Sequence, residues 1–147
     1  MKRSLYLFLV GLLMSVGSFA QLRDIPAEVT DAFTKQYPGA EQVVYKDNLK
    51  NFHVHFLLSG DKYVAKYNSK GEWKESEKST DIVKLPQPVQ DGFNKSKYTA
   101  WKIKEVVALQ MPNGAEHYKI RVEKGELQKK NLYFNKEGRL TKDGLTL

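Results

Sequence analysis

Cysteine is absent from this 147-residue chain. Its absence excludes disulfides, thiolate nucleophiles and cysteine-based zinc or iron–sulfur sites together, so the fold must rest on its core. The sequence also lacks a Gly-x-Ser-x-Gly elbow, a phosphate-cradling glycine-rich loop and a His-Glu-x-x-His pair. No catalytic residue is assigned, no enzyme is expected, and no cofactor is called for. Beyond Met14 no apolar run approaches the roughly 20 residues of a membrane-spanning helix, so no membrane span is expected either. Histidine is scarce, at three, and acidic residues are outnumbered, 17 against 24 lysines and arginines.

What is present begins with an export signature. Lys2 and Arg3 give a positive start, Leu5 to Met14 is apolar, and Ser18-Phe19-Ala20 places small residues where a signal peptidase reads. A signal peptide over residues 1–20 is expected, with the mature chain starting near Gln21 in the periplasm or outside the cell. Loss of Lys2 and Arg3 takes the formal charge from +7 to +5, a moderate basic bias. Export makes nucleic acid an unsuitable partner. With 41% hydrophobic and 12% aromatic residues the composition is that of a globular protein.

The mature sequence repeats itself. Ile25, Pro26, Val29, Asp31, Ala32 and Phe33 return as Leu85, Pro86, Val89, Asp91, Gly92 and Phe93, and Phe52, Val54 and Phe56 match Tyr118, Ile120 and Val122. Tyr67-Asn68-Ser69-Lys70-Gly71-Glu72-Trp73 matches Phe134-Asn135-Lys136-Glu137-Gly138-Arg139-Leu140. The units are expected at 21–78 and 79–147. A unit near 60 residues is only marginally stable alone, so the two must share one sheet or one core.

Each unit opens on a helix signal: a proline suited to a first turn, then Val29/Phe33 or Val89/Phe93 four apart on one face. Tyr37-Pro38-Gly39 ends the first helix and Tyr98-Thr99-Ala100-Trp101 the second. Gly92 costs its helix about 1 kcal/mol against alanine, so a close contact with the sheet is expected there. The period then changes to two, with turn signals between. Strands are expected near Gln42–Asp47, Asn51–Leu58, Lys62–Asn68 and Trp73–Lys78, then Lys102–Gln110, Glu116–Glu123, Leu127–Asn135 and Arg139–Lys142. Glu75–Lys84 reads as a polar join between units, and Glu75/Glu77 as solvated charge on an edge strand. The result is an α+β fold of tandem helix-plus-four-strand repeats, with an antiparallel sheet and helices on one face.

Alternation sorts the side chains. Phe52, Val54, Phe56, Ala65, Tyr67, Tyr118, Ile120, Val122, Leu132 and Phe134 form the expected core, with Val43, Ile103, Trp73 and Leu140 beside them. The opposite phase holds His53, His55, Lys66, Lys102, Lys104, Lys119, Arg121 and Tyr133, the candidate partner-binding set, on a face without helices. His53 and His55, two apart, have a spacing at which two metal ligands share one side of a strand, and His117 is a third imidazole from a strand taken to be close. Polar residues on a solvated face explain the same pattern, and no metal site is assigned.

The paired (Ile/Leu)-Pro-x-x-Val-x-Asp-x-Phe helices and (Tyr/Phe)-Asn-x-x-Gly-x-(Trp/Leu) strand ends, behind a signal peptide, resemble the family of secreted β-lactamase-inhibitor-like, PepSY-like domain proteins. The resemblance covers nearly the whole mature chain. It implies a tandem arrangement whose exposed sheet docks another protein. The function expected is therefore an exported, non-enzymatic binding module for a protein or peptide, with Tyr133 as anchor and the cations steering an acidic partner. Two other readings stand beside it: a regulator of an exported peptidase or other hydrolase, and a small-ligand or metal carrier.

Overall fold

Proline starts both helices. In the computed structural model, which describes residues 24–145, Pro26 and Pro86 are held extended, and their carbonyls accept the first helical hydrogen bonds from the Val29 and Val89 amides at 3.0 and 2.9 Å. Helix α1 spans Ala27–Gln36 and α2 Gln87–Asn94. The expected signal peptide lies outside the described residues.

Four strands follow α1: β1 (Glu41–Asn48), β2 (Asn51–Leu58), β3 (Asp61–Tyr67) and β4 (Trp73–Thr80). After a 3-10 turn at Ile82–Lys84, α2 is followed by β5 (Lys102–Gln110), β6 (Glu116–Lys124), β7 (Gln128–Asn135) and β8 (Leu140–Leu145). All eight lie in one antiparallel sheet in sequence order. The fold is thus α+β, with tandem helix-plus-four-strand units joined edge to edge where Ser76–Thr80 pairs with Val106–Gln110.

This pairing corrects one part of the reading of Glu75–Lys84 as a polar join between units, the placing of Glu75/Glu77 on an edge strand. Most of that stretch belongs to β4, in the middle of the sheet, and the boundary expected at 78/79 falls inside the strand. The β4 part of it, residues 75–80, has no apolar residue and reads as an edge because it would be one in an isolated unit. Pairing with β5 makes it central.

Register places both helices on the same side. Val29 and Phe33 pack on Phe52, Val54, Phe56, Ala65 and Tyr67, while Val89 and Phe93 pack on Val106, Tyr118, Ile120, Val122, Leu132 and Phe134. These are two apolar clusters under one sheet. Of the two ways to share structure, the halves use the sheet. All ten residues expected in the core are buried, and Val43, Trp73, Ile103 and Leu140 pack partly buried beside them. Tyr98, read as a helix stop, belongs to the second cluster at 2% exposure.

The Asn-x-x-Gly motif seats the helix. Asn68 Oδ1 accepts from the Lys70 and Glu72 amides at 3.0 Å each, and Asn135 Oδ1 accepts from the Arg139 amide at 2.9 Å. The turns so formed put Gly71 and Gly138 at positive φ against the first helical turn, where a Cβ would fall 2.3 Å from the Glu28 carbonyl oxygen and 1.9 Å from that of Pro88. Gly92 meets the same turn from the helix side, since a Cβ there would stand 2.0 Å from the Gly138 oxygen. Its close contact is with the β7–β8 turn.

Candidate functional site: the open face of the sheet

Because Phe52, Val54 and Phe56 point to α1, His53 and His55 point away from it. Cross-strand pairs carry this phase across the sheet: His53 opposite Lys66, Lys66 opposite Glu75, Glu77 opposite Leu109, Val107 opposite Lys119, and Lys119 opposite Tyr133. Arg121 pairs with Glu105, and Lys102 with Glu123. Lys104 sits in the bulge between Ile103 and Glu105, its ammonium 3.1 Å from Glu123. The structure therefore places His53, His55, Lys66, Lys102, Lys104, Lys119, Arg121 and Tyr133 on the face opposite the helices.

Their environment differs from the expected bare row of cations. Lys66 Nζ donates to Glu75 Oε1 at 2.5 Å and Glu77 Oε1 at 2.7 Å, and Lys119 Nζ donates to both oxygens of Glu77 at 3.1 and 3.0 Å. The Lys119 side chain is 9% exposed and that of Glu77 13%, so Lys119 is a buried group rather than a steering charge. Arg121 Nη2 lies 3.4 Å from Glu105 Oε2, and its Nε donates to Asn131 Oδ1 at 3.2 Å. Glu105 Oε2 is itself buried without a hydrogen bond.

The reason is topological. Glu75 and Glu77, expected on a solvated edge, stand on the fourth of eight strands between Lys66 on β3 and Lys119 two strands away. Val107 and Leu109, both buried, share this side with them. Burial disfavours the Glu77 carboxylate, but the Lys66 hydrogen bond and the Lys119 charge outweigh it and hold its pKa below the ordinary carboxylate value. Lys66 is likewise penalised by burial, yet Glu75 and Glu77 raise its pKa.

Protonation is disfavoured at both imidazoles of β2. Burial, then the Lys66 charge, lowers the pKa of His53, and burial followed by Lys46 lowers that of His55. His53 Nε2 lies 3.3 Å from Asn48 Nδ2. His117 is not on a neighbouring strand. It is on β6, four strand spacings or roughly 19 Å from β2. Asp47 and Glu116 point to the helix side, opposite Phe52 and Gln110. Among the described residues no group of three His, Asp or Glu is arranged to hold a metal ion.

Around this paired centre runs a looser rim. Lys142 Nζ sits 5.6 Å from the Tyr133 ring centroid, a cation–π contact. Among the described residues Lys46, Lys62, Lys102, Lys129 and Lys142 share the face without a carboxylate within 4.0 Å. Sequence reasoning missed Glu75, Glu77, Glu105 and Lys142. The signal for the first two was their phase, two apart and aligned with Lys66.

A family model described as "putative beta-lactamase-inhibitor-like, PepSY-like" matches residues 50–142. Among solved structures, a DUF2874 family protein from Bacteroides ovatus ATCC 8483 is similar at 22% identity and a TM-score of 0.77, over 84% of this chain and 89% of that one. A BLIP-like protein from Bacteroides fragilis NCTC 9343 is 26% identical with a TM-score of 0.73, over 82% of this chain and 86% of its own. A protein described as a putative periplasmic protein from Bacteroides eggerthii DSM 20697 is 20% identical with a TM-score of 0.75, over 82% and 88%. No curated protein matches the chain.

Proposed function

The chain belongs to the beta-lactamase-inhibitor-like, PepSY-like family, and on that premise we propose that it is an exported, non-catalytic module that docks a protein or peptide on the open face of its sheet. One observation carries the proposal: the face without helices bears an ordered, internally paired charge cluster beside an aromatic anchor. Eight strands span seven spacings, roughly 34 Å, and with strands about 25 Å long the face offers on the order of 800 Å². That is about the share each partner gives to a standard protein interface. Side chains fixed before contact lose less entropy on binding.

Within this reading Lys66, Lys119 and Arg121 set the shape of the surface, with His53 and His55 beside them. Tyr133 anchors the partner, and the rim lysines, Lys102 among them, steer it. Residues 1–20 act as the export signal, in keeping with the periplasmic description of one similar structure. An inhibitor of an exported hydrolase is the narrower form of the proposal, favoured by the family description and the BLIP-like neighbour.

The test is capture from an envelope extract with the tagged protein, its Tyr133→Ser/Lys142→Glu variant and, as control, Lys35→Glu on α1. A partner retained by the native and control proteins and lost by the face variant supports the proposal. Equal capture by all three overturns it. Adding the captured partner to its own enzymatic assay, with and without the module, decides the inhibitor form.

A further inference from the structure

At the far end of the second unit, a cleft of about 470 Å³ opens between the segment after α2, the β6–β7 turn and the end of β8. Its volume falls within the roughly 300–1,000 Å³ of small-molecule sites. Tyr98 and Trp101 form one side, their rings edge to face with centroids 5.2 Å apart. Leu127 and Leu145 form the other, 96% and 74% exposed. Single exposed leucines are ordinary on a surface, but two that converge with an indole on one cleft make an apolar patch with a shape.

The charged side chains that line the cleft are all cationic. Lys97, Lys129 and Lys130 complete the lining, with the Lys97 and Lys130 ammoniums 5.2 and 5.8 Å from the Tyr98 ring centroid. Asp143 answers only part of it: it accepts a hydrogen bond from the Tyr98 hydroxyl and lies 3.6 Å from Lys97. Lys129 and Lys130 have no carboxylate within 4.0 Å among the described residues. A cationic ligand would meet three ammoniums at the mouth, and a purely polar anion would leave the leucines in water. An anion with an apolar body satisfies both.

We propose that this cleft binds a small anionic amphiphile, its apolar body laid on Trp101 between Leu127 and Leu145 and its headgroup among Lys97, Lys129 and Lys130. The site is independent of docking at the open face, whose rim it touches only at Lys129.

Decanoate, below its micellar range, is the probe, read by proton–nitrogen NMR on the native protein. The chain has two tryptophans. Trp101 lines the cleft and Trp73 packs in the first unit's core, so one indole reports and the other is an internal control. The Trp101 indole and the amides of residues 97–101 and 127–130 shift saturably while Trp73 stays still. Decyltrimethylammonium and decanol bind at least about tenfold more weakly, and Lys129→Gln/Lys130→Gln weakens decanoate binding roughly fivefold. A still Trp101, equal shifts at both indoles, equal binding of the cationic amphiphile, or binding confined to anionic lipid vesicles would each overturn the proposal. The headgroup comparison needs no variant, so it decides the matter even if the double substitution unfolds the protein.

Discussion

Replacing Glu77 with glutamine tests whether the open face is built around an internal ion cluster or merely decorated with solvated charge. In the native protein this carboxylate takes Lys66 at 2.7 Å and Lys119 at 3.0 Å, with side chains 19% and 9% exposed. Removing the charge leaves Lys66 its second partner, Glu75, at 2.5 Å, but leaves Lys119 only Glu105 at 4.0 Å. Breaking one side of a fully buried pair costs about 3–5 kcal/mol, whereas exposed pairs contribute at most about 1 kcal/mol. Partial exposure and the retained Glu75 contact place Glu77→Gln at about 2–4 kcal/mol. At about 4 °C per kcal/mol for a domain of this size, melting should fall by about 8–16 °C.

Lys119→Met should cost less, because Glu77 then keeps Lys66. The double variant should fall short of the sum of the two by at least about 1 kcal/mol. The acid limb provides a second check. Since the folded pKa of Glu77 is depressed, its stabilisation is present above the ordinary carboxylate pKa and disappears as pH falls through the folded value. The gap between native protein and Glu77→Gln should therefore shrink as pH falls below the ordinary glutamate value. Urea denaturation followed by circular dichroism measures all of this, and a cost under about 0.5 kcal/mol at pH 7 would refute the buried-cluster argument.

Three further outcomes follow from the packing. Gly92→Ala gains about 1 kcal/mol of helix propensity yet should destabilise by at least about 2 kcal/mol, because its Cβ would stand 2.0 Å from the Gly138 oxygen; Gly60→Ala, with nothing within 4 Å but a positive φ, should cost about 1 kcal/mol in the same urea titration. Ser76→Ala strips the Tyr37 hydroxyl and the Trp73 indole N–H of their shared partner, at 2.6 and 2.8 Å, and should cost about 1–3 kcal/mol. His53 and His55 have lowered pKa values, so the unfolded chain binds their protons first and stability should fall as pH drops below about 6.5; a His53→Gln/His55→Gln variant should lose that slope between pH 7.5 and 5.5.

What sequence could show depends on the range of the interaction that decides it. The period-two strands, the Asn-x-x-Gly turns and the ten core residues follow from local alternation and the internal match, and the structure contains them. Glu75 and Glu77 follow from neither. Their lack of apolar neighbours is a local property that says edge, while their position in the sheet comes from β4 pairing with β5, a non-local event. Tyr98 was missed for a similar reason: a segment that stops a helix locally also folds under it, placing the ring in the second core.

The same event reshapes the electrostatic argument. The side chains that the register assigns to the open face carry nine cations, Lys46, Lys62, Lys66, Lys102, Lys104, Lys119, Arg121, Lys129 and Lys142, against five carboxylates, Glu41, Glu75, Glu77, Glu105 and Glu123. Glu75, Glu77, Glu105 and Glu123 lie against Lys66, Lys104, Lys119 and Arg121, which leaves Lys46, Lys62, Lys102, Lys129 and Lys142 as the rim cations. Exposed charges are screened over about 10 Å at 0.1 M salt, whereas buried pairs are screened much less. Salt should therefore slow the encounter with an acidic partner through the rim while leaving the central cluster intact. A neutral or apolar partner surface over Tyr133 and the paired centre would keep its affinity, so the salt dependence of a captured complex reports which part of the face the partner uses.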